Sequence, residues 1–262
     1  MSGFVTTEDV IGTQTVRWLT MSNPGRRNAV PATGWDDLAD AFSGFAASDA
    51  RVLVVAGADG DFCSGADMHR DLTDVPSAAD NAERMRRANR AATELHRVPK
   101  PTIAAVDGVA VGAGMNLAIG CDVVIATERA RFAEIFVRRG LTVDFGGTWL
   151  LPRLVGLARA RELALTGRIV NADEALRIGL VAEVVSVDEL PGRVESLAGD
   201  LAAGAPLAQS MIKRSLDRSS SVSFEQALAM EAQMQAVLLG SGDLREGAQA
   251  FVEKRTPHFR GR

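Results

Sequence analysis

The sequence contains two cysteines, Cys63 and Cys121, and neither belongs to a Cys-x-x-Cys motif. This scarcity argues against a disulfide scaffold or a structural zinc site, and it suits a reducing cytoplasm. The three histidines, His69, His96 and His258, are scattered without ligand spacing, so we expect no metal site. The first residues lack the basic start and the apolar core of a signal peptide, which also favours a cytoplasmic location.

Basic clusters and long apolar runs are missing as well. The net charge is -4 with acidic and basic residues interspersed, so the sequence carries no nucleic-acid-binding signature. The longest apolar runs, such as Ile103 to Val106, are far too short to cross a membrane. The composition, 47% hydrophobic and 24% charged over 262 residues, is that of a globular protein with a sizeable core.

The first two thirds of the chain alternates strand-like and helical patterns, which predicts an α/β body. Thr13 to Leu19 alternates polar and apolar residues, as a half-buried strand does. Continuous apolar runs predict strands covered by helices on both faces; they are Val52–Ala56, Thr102–Val106 and Val123–Ala126. Helical patterns lie between the strands, at Trp35–Ala47, Asn81–Arg97 and Ala158–Leu165.

The strand signal ends near residue 188, and four amphipathic helices follow. They are predicted at Leu190–Leu201, Leu207–Leu216, Phe224–Leu239 and Leu244–Phe251. The third carries a stripe from Phe224 to Leu238 that is rich in Met and Leu, which indicates a core or subunit contact rather than a cofactor site. We therefore divide the chain into a body, residues 1–195, and a helical oligomerisation region, residues 196–262.

Two glycine-containing segments predict a site that binds a developing anion. In the first, Asp61 to Asp67, the small residues around Gly65 let the backbone approach a ligand closely. In the second, a strand and a glycine turn at Gly112 lead into a short helix. The N–H groups of Ser64 and Ala113 could then hold one carbonyl oxygen. A dinucleotide site is not indicated, because the turn lacks the third glycine of that motif.

The motifs resemble those of the crotonase (enoyl-CoA hydratase/isomerase) superfamily over nearly the whole chain. The matching segments are Phe62–Asp67, Lys100–Gly108, Gly112–Gly114, Cys121–Asp122, Ala130–Phe132, Gly146–Thr148, Leu165–Gly167 and Ala250–Phe259. The resemblance implies a ClpP-like spiral of ββα units whose C-terminal helices form a trimer or a dimer of trimers. It also implies an acyl-CoA thioester substrate held by Ser64 and Ala113, with no cofactor beyond the CoA moiety. The CoA-binding positions would be Arg26, Arg27, Ala29, Ala66, Asp67, Met68 and Lys254, with Arg26 or Arg27 pairing with phosphates.

The sequence departs from a hydratase at both positions where the family carries its glutamates. These positions hold Asn116 and Phe136, and neither side chain exchanges a proton at neutral pH. Glu134 would share the face of Phe136 if the segment were extended. It could replace the missing glutamate only through a local register shift.

Asp144 is the acid that the sequence places beside the predicted oxyanion hole. Isomerases and dehalogenases of the superfamily carry a functional aspartate at this position, and the surrounding residues resemble the branch that isomerises ring 1,2-epoxyphenylacetyl-CoA. Asp144 would move a proton between two carbons of an enolate, while Phe136, Phe145 and Trp149 would exclude water. Burial would raise its basicity. Alternatively, Asp144 is the N-cap of the following helix.

Three functions remain open from the sequence. The first is an isomerase of unsaturated or ring-derived acyl-CoA; Asn116 would then order a substrate carbonyl or a water, or have only a structural role. The second is a hydratase with Glu134 as an unusual base. The third is an acyl-CoA-binding protein without catalysis. A dehalogenase is less favoured, because its histidine partner could only be His96, at the far end of its helix. The segment Leu72 to Ala79 is a candidate lid.

Overall fold

Two β-sheets and ten α-helices form the part of the chain that the computed structural model describes, residues 3–11, 14–68 and 77–262. The strands are β1 (Val5–Ile11), β2 (Thr15–Met21), β3 (Val52–Gly57), β4 (Thr102–Val106), β5 (Val109–Val111), β6 (Val123–Thr127), β7 (Arg131–Ala133), β8 (Val170–Asn171) and β9 (Glu183–Val185). Most of the segment predicted as a lid, Leu72–Ala79, lies outside the described residues, as does His69.

The α-helices follow the sheet strands and then continue alone to the C-terminus. They are α1 (Gly34–Ala47), α2 (Ala78–Arg97), α3 (Ala113–Ile119), α4 (Gly147–Val155), α5 (Leu157–Thr166), α6 (Ala172–Arg177), α7 (Leu190–Ala203), α8 (Pro206–Ser219), α9 (Phe224–Leu239) and α10 (Gly242–Glu253). A 3₁₀ helix, Ile135–Arg139, follows β7. The predicted helices and apolar strands are confirmed to within three residues at each end.

The chain winds between a large and a small sheet, as a spiral of ββα units does. The large sheet has the order β1-β2-β3-β4-β6-β9, and the small sheet has the order β5-β7-β8. After β4 and again after β6, the chain crosses to the small sheet and then enters helices. The segment after β3 joins the small sheet through an isolated bridge between Cys63 and Ala110. The loops that follow β3, β5 and β7 are thereby brought together.

Alternate residues of β3 face two different apolar layers, which explains its unbroken apolar sequence. Leu53 and Val55 pack into the larger cluster with the helix α1 residue Phe42. Val52 and Val54 pack on the other face with residues of α7, including Val194. Both faces of the strand are therefore removed from water, and each buried aliphatic side chain stabilises the fold by about 1.5–3 kcal/mol.

The C-terminal helices have a different environment from the body. The predicted boundary at residue 195 falls inside α7, whose Val194 and Ala198 pack against the large sheet, so α7 lies with the body. The stripe from Phe224 to Leu238 on α9 is not part of the core, because no residue of α9 is buried within the described chain. Phe224 is 73% exposed. The core interpretation of the stripe was therefore wrong, and a subunit contact stays a prediction.

Candidate active site

Backbone hydrogen bonds hold the two predicted glycine segments side by side. The Val111 N–H donates to the Cys63 carbonyl at 3.0 Å, and the Gly112 N–H donates to the Ala133 carbonyl at 2.8 Å. Gly65 has a φ of +90°, and a Cβ there would lie 2.8 Å from the Val111 carbonyl oxygen and 3.5 Å from the Ala113 nitrogen. A side chain at position 65 would therefore separate the two segments, which explains the glycine.

The two predicted oxyanion-hole N–H groups have different partners. Ala113 is the first residue of α3, so its N–H has no acceptor within the helix. The Ser64 N–H donates to the Arg27 carbonyl at 3.0 Å, and the Ser64 hydroxyl donates to the Arg26 carbonyl at 3.0 Å. A thioester oxygen can use the Ser64 N–H only in exchange for the Arg27 carbonyl. The joint role of Ser64 and Ala113 stays a prediction.

The loop that carries Arg26 and Arg27 is anchored by the buried side chain of Asn28. Its Nδ2 donates to the Ala58 and Asp61 carbonyls at 2.8 and 2.7 Å. Arg27 and Asn28 both have positive φ, near +50°, a strained conformation that these contacts maintain. The Arg27 side chain is 69% exposed. Arg26 is exposed as well, and the Arg27 Nε lies 3.9 Å from the Asp61 carboxylate; phosphate binding by either arginine stays a prediction.

The other predicted CoA-binding residues divide into two groups. The first group consists of Ala29, Ala66, Asp67 and Met68. Val30, which follows Ala29, forms a β-bridge with Ala66, and the Val30 carbonyl accepts from the Asp67 N–H at 2.9 Å. Lys254 caps α10 in a left-handed conformation. Within the described residues, no hydrogen bond or ion pair joins Lys254 to the first group.

Asp144 is not a helix cap, so that alternative was wrong. The N-cap of α4 is Gly146, and no side chain caps this helix. The Asp144 backbone carbonyl accepts from the Asn116 Nδ2 at 2.9 Å. Its carboxylate Oδ1 is buried and has no hydrogen-bond partner among the described residues. Burial raises the pKa of Asp144 to about 6, opposed by the positive charge of Arg84. A carboxylate with this pKa is a suitable base near neutral pH.

Glu134 lies in the same site, where the sequence placed it only through a register shift. The chain turns at Glu134 and enters the 3₁₀ helix, so the extended geometry does not apply and both Glu134 and Phe136 are buried. Glu134 is 1% exposed, and neither carboxyl oxygen has a hydrogen-bond partner within the described chain. Burial raises its pKa to about 8; the facing Asn116 amide opposes this and the Asp144 charge adds to it. The signal in the sequence was a glutamate within the apolar run from Phe132 to Val137.

The three aromatic residues predicted to exclude water have different surroundings. Phe136 packs beside Gly112, where a Cβ would lie 3.6 Å from the ring. Phe145 is buried against Trp35, with ring centroids 5.5 Å apart. A cavity of about 550 Å³ between α2 and α4 is lined by Asn116, Phe145 and Trp149, among others. Phe136 and Phe145 are buried, whereas Trp149 is 37% exposed and lies on the cavity wall; the exclusion of water by these residues stays a prediction.

His96 lines the same cavity, although the sequence placed it at the far end of its helix. Its ring packs edge-on against Trp149, with centroids 5.3 Å apart. The Arg153 guanidinium lies over the same Trp149 ring, 3.8 Å from the ring centroid. Among the described residues, no hydrogen bond connects His96 with Asp144, so the structure gives no support for a nucleophile–histidine pair.

Comparisons with known proteins place this site in a family. The profile of the Enoyl-CoA hydratase/isomerase family matches residues 12–262. The chain is 40% identical to a Rhodobacter capsulatus protein named "Probable enoyl-CoA hydratase", covering 93% of this chain and 94% of that protein. It is 36% identical to the 1,2-epoxyphenylacetyl-CoA isomerase of Escherichia coli, covering 94% and 95%. The chain belongs to the enoyl-CoA hydratase/isomerase family.

The fold of this enoyl-CoA hydratase/isomerase family member is the crotonase fold. The crystal structure of an enoyl-CoA hydratase from Bacillus anthracis superimposes with a TM-score of 0.93 at 29% identity, covering 99% of this chain and all of that one. The predicted spiral is therefore confirmed. Among the described helices, none is long and apolar enough to cross a membrane.

Proposed function

We propose that the protein is an acyl-CoA isomerase that moves a double bond through an enolate, with Asp144 as the acid/base. The observation that carries this proposal is the Asp144 carboxylate, whose buried oxygen lacks a hydrogen-bond partner among the described residues. Its pKa of about 6 leaves it charged at pH 7 and able to accept a proton. The likeness to the Escherichia coli 1,2-epoxyphenylacetyl-CoA isomerase supports the same class of reaction.

The proposed reaction needs one proton carrier. With a 3-enoyl-CoA, Asp144 removes a proton from C2, and the electrons of that bond move onto the thioester oxygen to give a dienolate. The N–H groups of Ala113 and Ser64 stabilise this oxygen as charge develops. Asp144 then returns the proton to C4, so the double bond moves from C3–C4 to C2–C3. A ring-derived acyl-CoA is an alternative substrate with the same enolate chemistry.

Hydration is the second candidate, because Glu134 is an acidic group inside the site. A hydratase requires a base that activates water. Asn116 and Phe136 cannot fill this role, and the pKa of about 8 keeps Glu134 mostly protonated at pH 7. These observations favour isomerisation. Addition of water to crotonyl-CoA at a rate comparable to isomerisation would instead support the hydratase.

The decisive experiment follows a 3-enoyl-CoA by the absorbance of the conjugated 2-enoyl thioester. We expect turnover by the wild type, a loss of about 10²–10⁴-fold in Asp144→Asn, and wild-type rates in the exposed control Asp188→Asn. Full activity of Asp144→Asn would remove Asp144 from the mechanism. Tight binding of the thioester without proton exchange in D₂O would identify a binding protein without catalysis.

A further inference from the structure

Three buried polar atoms behind Asp144 lack partners within the described residues. They are both carboxyl oxygens of Glu134 and the Asn116 Oδ1. Asn116 is fully buried and Glu134 is 1% exposed. An unsatisfied buried polar atom typically costs about 1–3 kcal/mol, and a buried charge costs more. Three such atoms beside one another therefore require an explanation.

One proton on Glu134 satisfies two of these three atoms, the carboxyl oxygen that carries it and the Asn116 Oδ1. A neutral carboxylic acid has one O–H donor, whereas a carboxylate and an amide oxygen are both acceptors. The orientation of Asn116 is set by its Nδ2, which donates to the Asp144 carbonyl at 2.9 Å. Asn116 lies close enough to act on the Glu134 carboxyl, and its Oδ1, which has no donor among the described residues, is the atom left to accept from a protonated Glu134.

We infer that Glu134 is a positioning residue: as a neutral acid it donates a hydrogen bond to Asn116 Oδ1, and Asn116 in turn holds the Asp144 backbone. This inference rests on the proposed role of Asp144 as acid/base. The chain of contacts links an ionisable group outside the reacting atoms to the placement of the base. In this arrangement, Asn116 connects Glu134 with Asp144.

The charged groups around Glu134 favour its neutral form. Within the described chain, Asp144 is the charged group that acts on Glu134, and its negative charge adds to the effect of burial. The positive charge of Arg84 opposes the rise in the pKa of Asp144. On the 3₁₀ helix, the Arg138 Nε donates to the Thr166 carbonyl at 3.0 Å.

The neighbouring helices α5 and α6 carry arginines, but no arginine of the described residues is among the charges that act on Glu134. Arg168, in the turn between them, forms ion pairs with Glu162 of α5 at 2.6 Å and Glu174 of α6 at 2.7 Å. The single positive charge of Arg168 is thereby paired with two carboxylates.

Deprotonation of Glu134 would reverse the hydrogen-bond pattern. The carboxylate would face Asn116 Oδ1 as a second acceptor, so the amide is expected to rotate and turn its Nδ2 toward Glu134. That rotation breaks the bond to the Asp144 carbonyl. Activity should therefore fall as the pH rises through about 8, the pKa of Glu134.

The kinetic test compares two substitutions at position 134 over pH 6 to 10. The amide of Glu134→Gln donates to Asn116 at every pH, so we expect wild-type kcat at pH 7 and no decline around pH 8. Glu134→Leu cannot donate, and we expect kcat to fall about 10- to 100-fold at all pH values with little change in KM. The exposed control Glu128→Gln should keep the wild-type profile. An unchanged alkaline decline in Glu134→Gln, or wild-type kcat in Glu134→Leu, would overturn the inference.

An infrared measurement separates this inference from the proposed function. The unliganded wild type at pH 7 should show the carbonyl stretch of a protonated carboxylic acid, and a difference spectrum against Glu134→Gln should assign it. The band should disappear on titration through pH 8. If it is absent at pH 7, the inference is wrong whatever reaction is catalysed. If it is present while Asp144→Asn is fully active, the proposed function fails instead.

Discussion

Replacing Glu134 with glutamine should make the folded protein less sensitive to pH. The pKa of Glu134 is raised from 4.5 to about 8 by burial, so the folded state binds this proton more tightly than the unfolded state. Its stabilising contribution is complete below pH 4.5 and is lost as the pH rises through 8. Each pH unit within this window costs about 1.4 kcal/mol. Between pH 5 and pH 7 the group should lower the free energy of unfolding by about 2.5 kcal/mol.

Urea denaturation at pH 5 and pH 7 measures this effect at a fixed protein concentration. Asp144 also titrates in this range; because it is present in both proteins, the wild-type change minus the Glu134→Gln change leaves the Glu134 contribution together with its coupling to Asp144. We expect this difference to be about 2.5 kcal/mol, with the variant more stable at pH 7. Glu128→Gln, at an exposed position, should behave as the wild type. An identical pH dependence in Glu134→Gln and the wild type would refute a neutral, buried Glu134.

Two further substitutions test the geometry around the base. Ala113→Pro removes an N–H at a helix position that tolerates proline, so kcat should fall about 10²–10³-fold without loss of helix content by circular dichroism. Leu157→Pro, at the first position of α5, is the matched control. Wild-type activity in Ala113→Pro would exclude the Ala113 N–H as a donor. Gly147→Ala would place a methyl group against the Asn116 amide, so kcat should fall and thermal unfolding should occur at a lower temperature. Gly44 has open space around it, so Gly44→Ala should retain activity. A wild-type kcat in Gly147→Ala would show that catalysis does not depend on the position of the Asn116 amide.

The long elements of the fold could be predicted from the sequence because their patterns are strong. β3 and β4 are unbroken apolar runs, whereas the capping box of α2, formed by Ser77 and Asp80, precedes the predicted helix start at Asn81 and was missed. Strand β1 was missed because its residues 6–10 are all exposed and give no clear alternation. Strands of two or three residues, such as β8, are too short for any periodic signal.

The site residues that could be predicted are those whose side-chain type alone limits the chemistry they can perform. Asp144, Asn116 and Phe136 were singled out because carboxylate, amide and phenyl groups have different proton-transfer abilities. The position of Glu134 could not be predicted in the same way. It depends on a turn into a 3₁₀ helix, and no proline or glycine marks the sequence there.

We expect the hydrogen bond between the Ser64 N–H and the Arg27 carbonyl to couple two distant parts of a bound acyl-CoA. A thioester oxygen that takes this N–H displaces Arg27, whose loop is anchored by Asn28. If phosphates bind to this loop as predicted, they would change the affinity for the acyl end, and by linkage the acyl end would change the affinity for the phosphates by an equal factor. Free CoA and a CoA-less thioester should therefore not bind independently of each other.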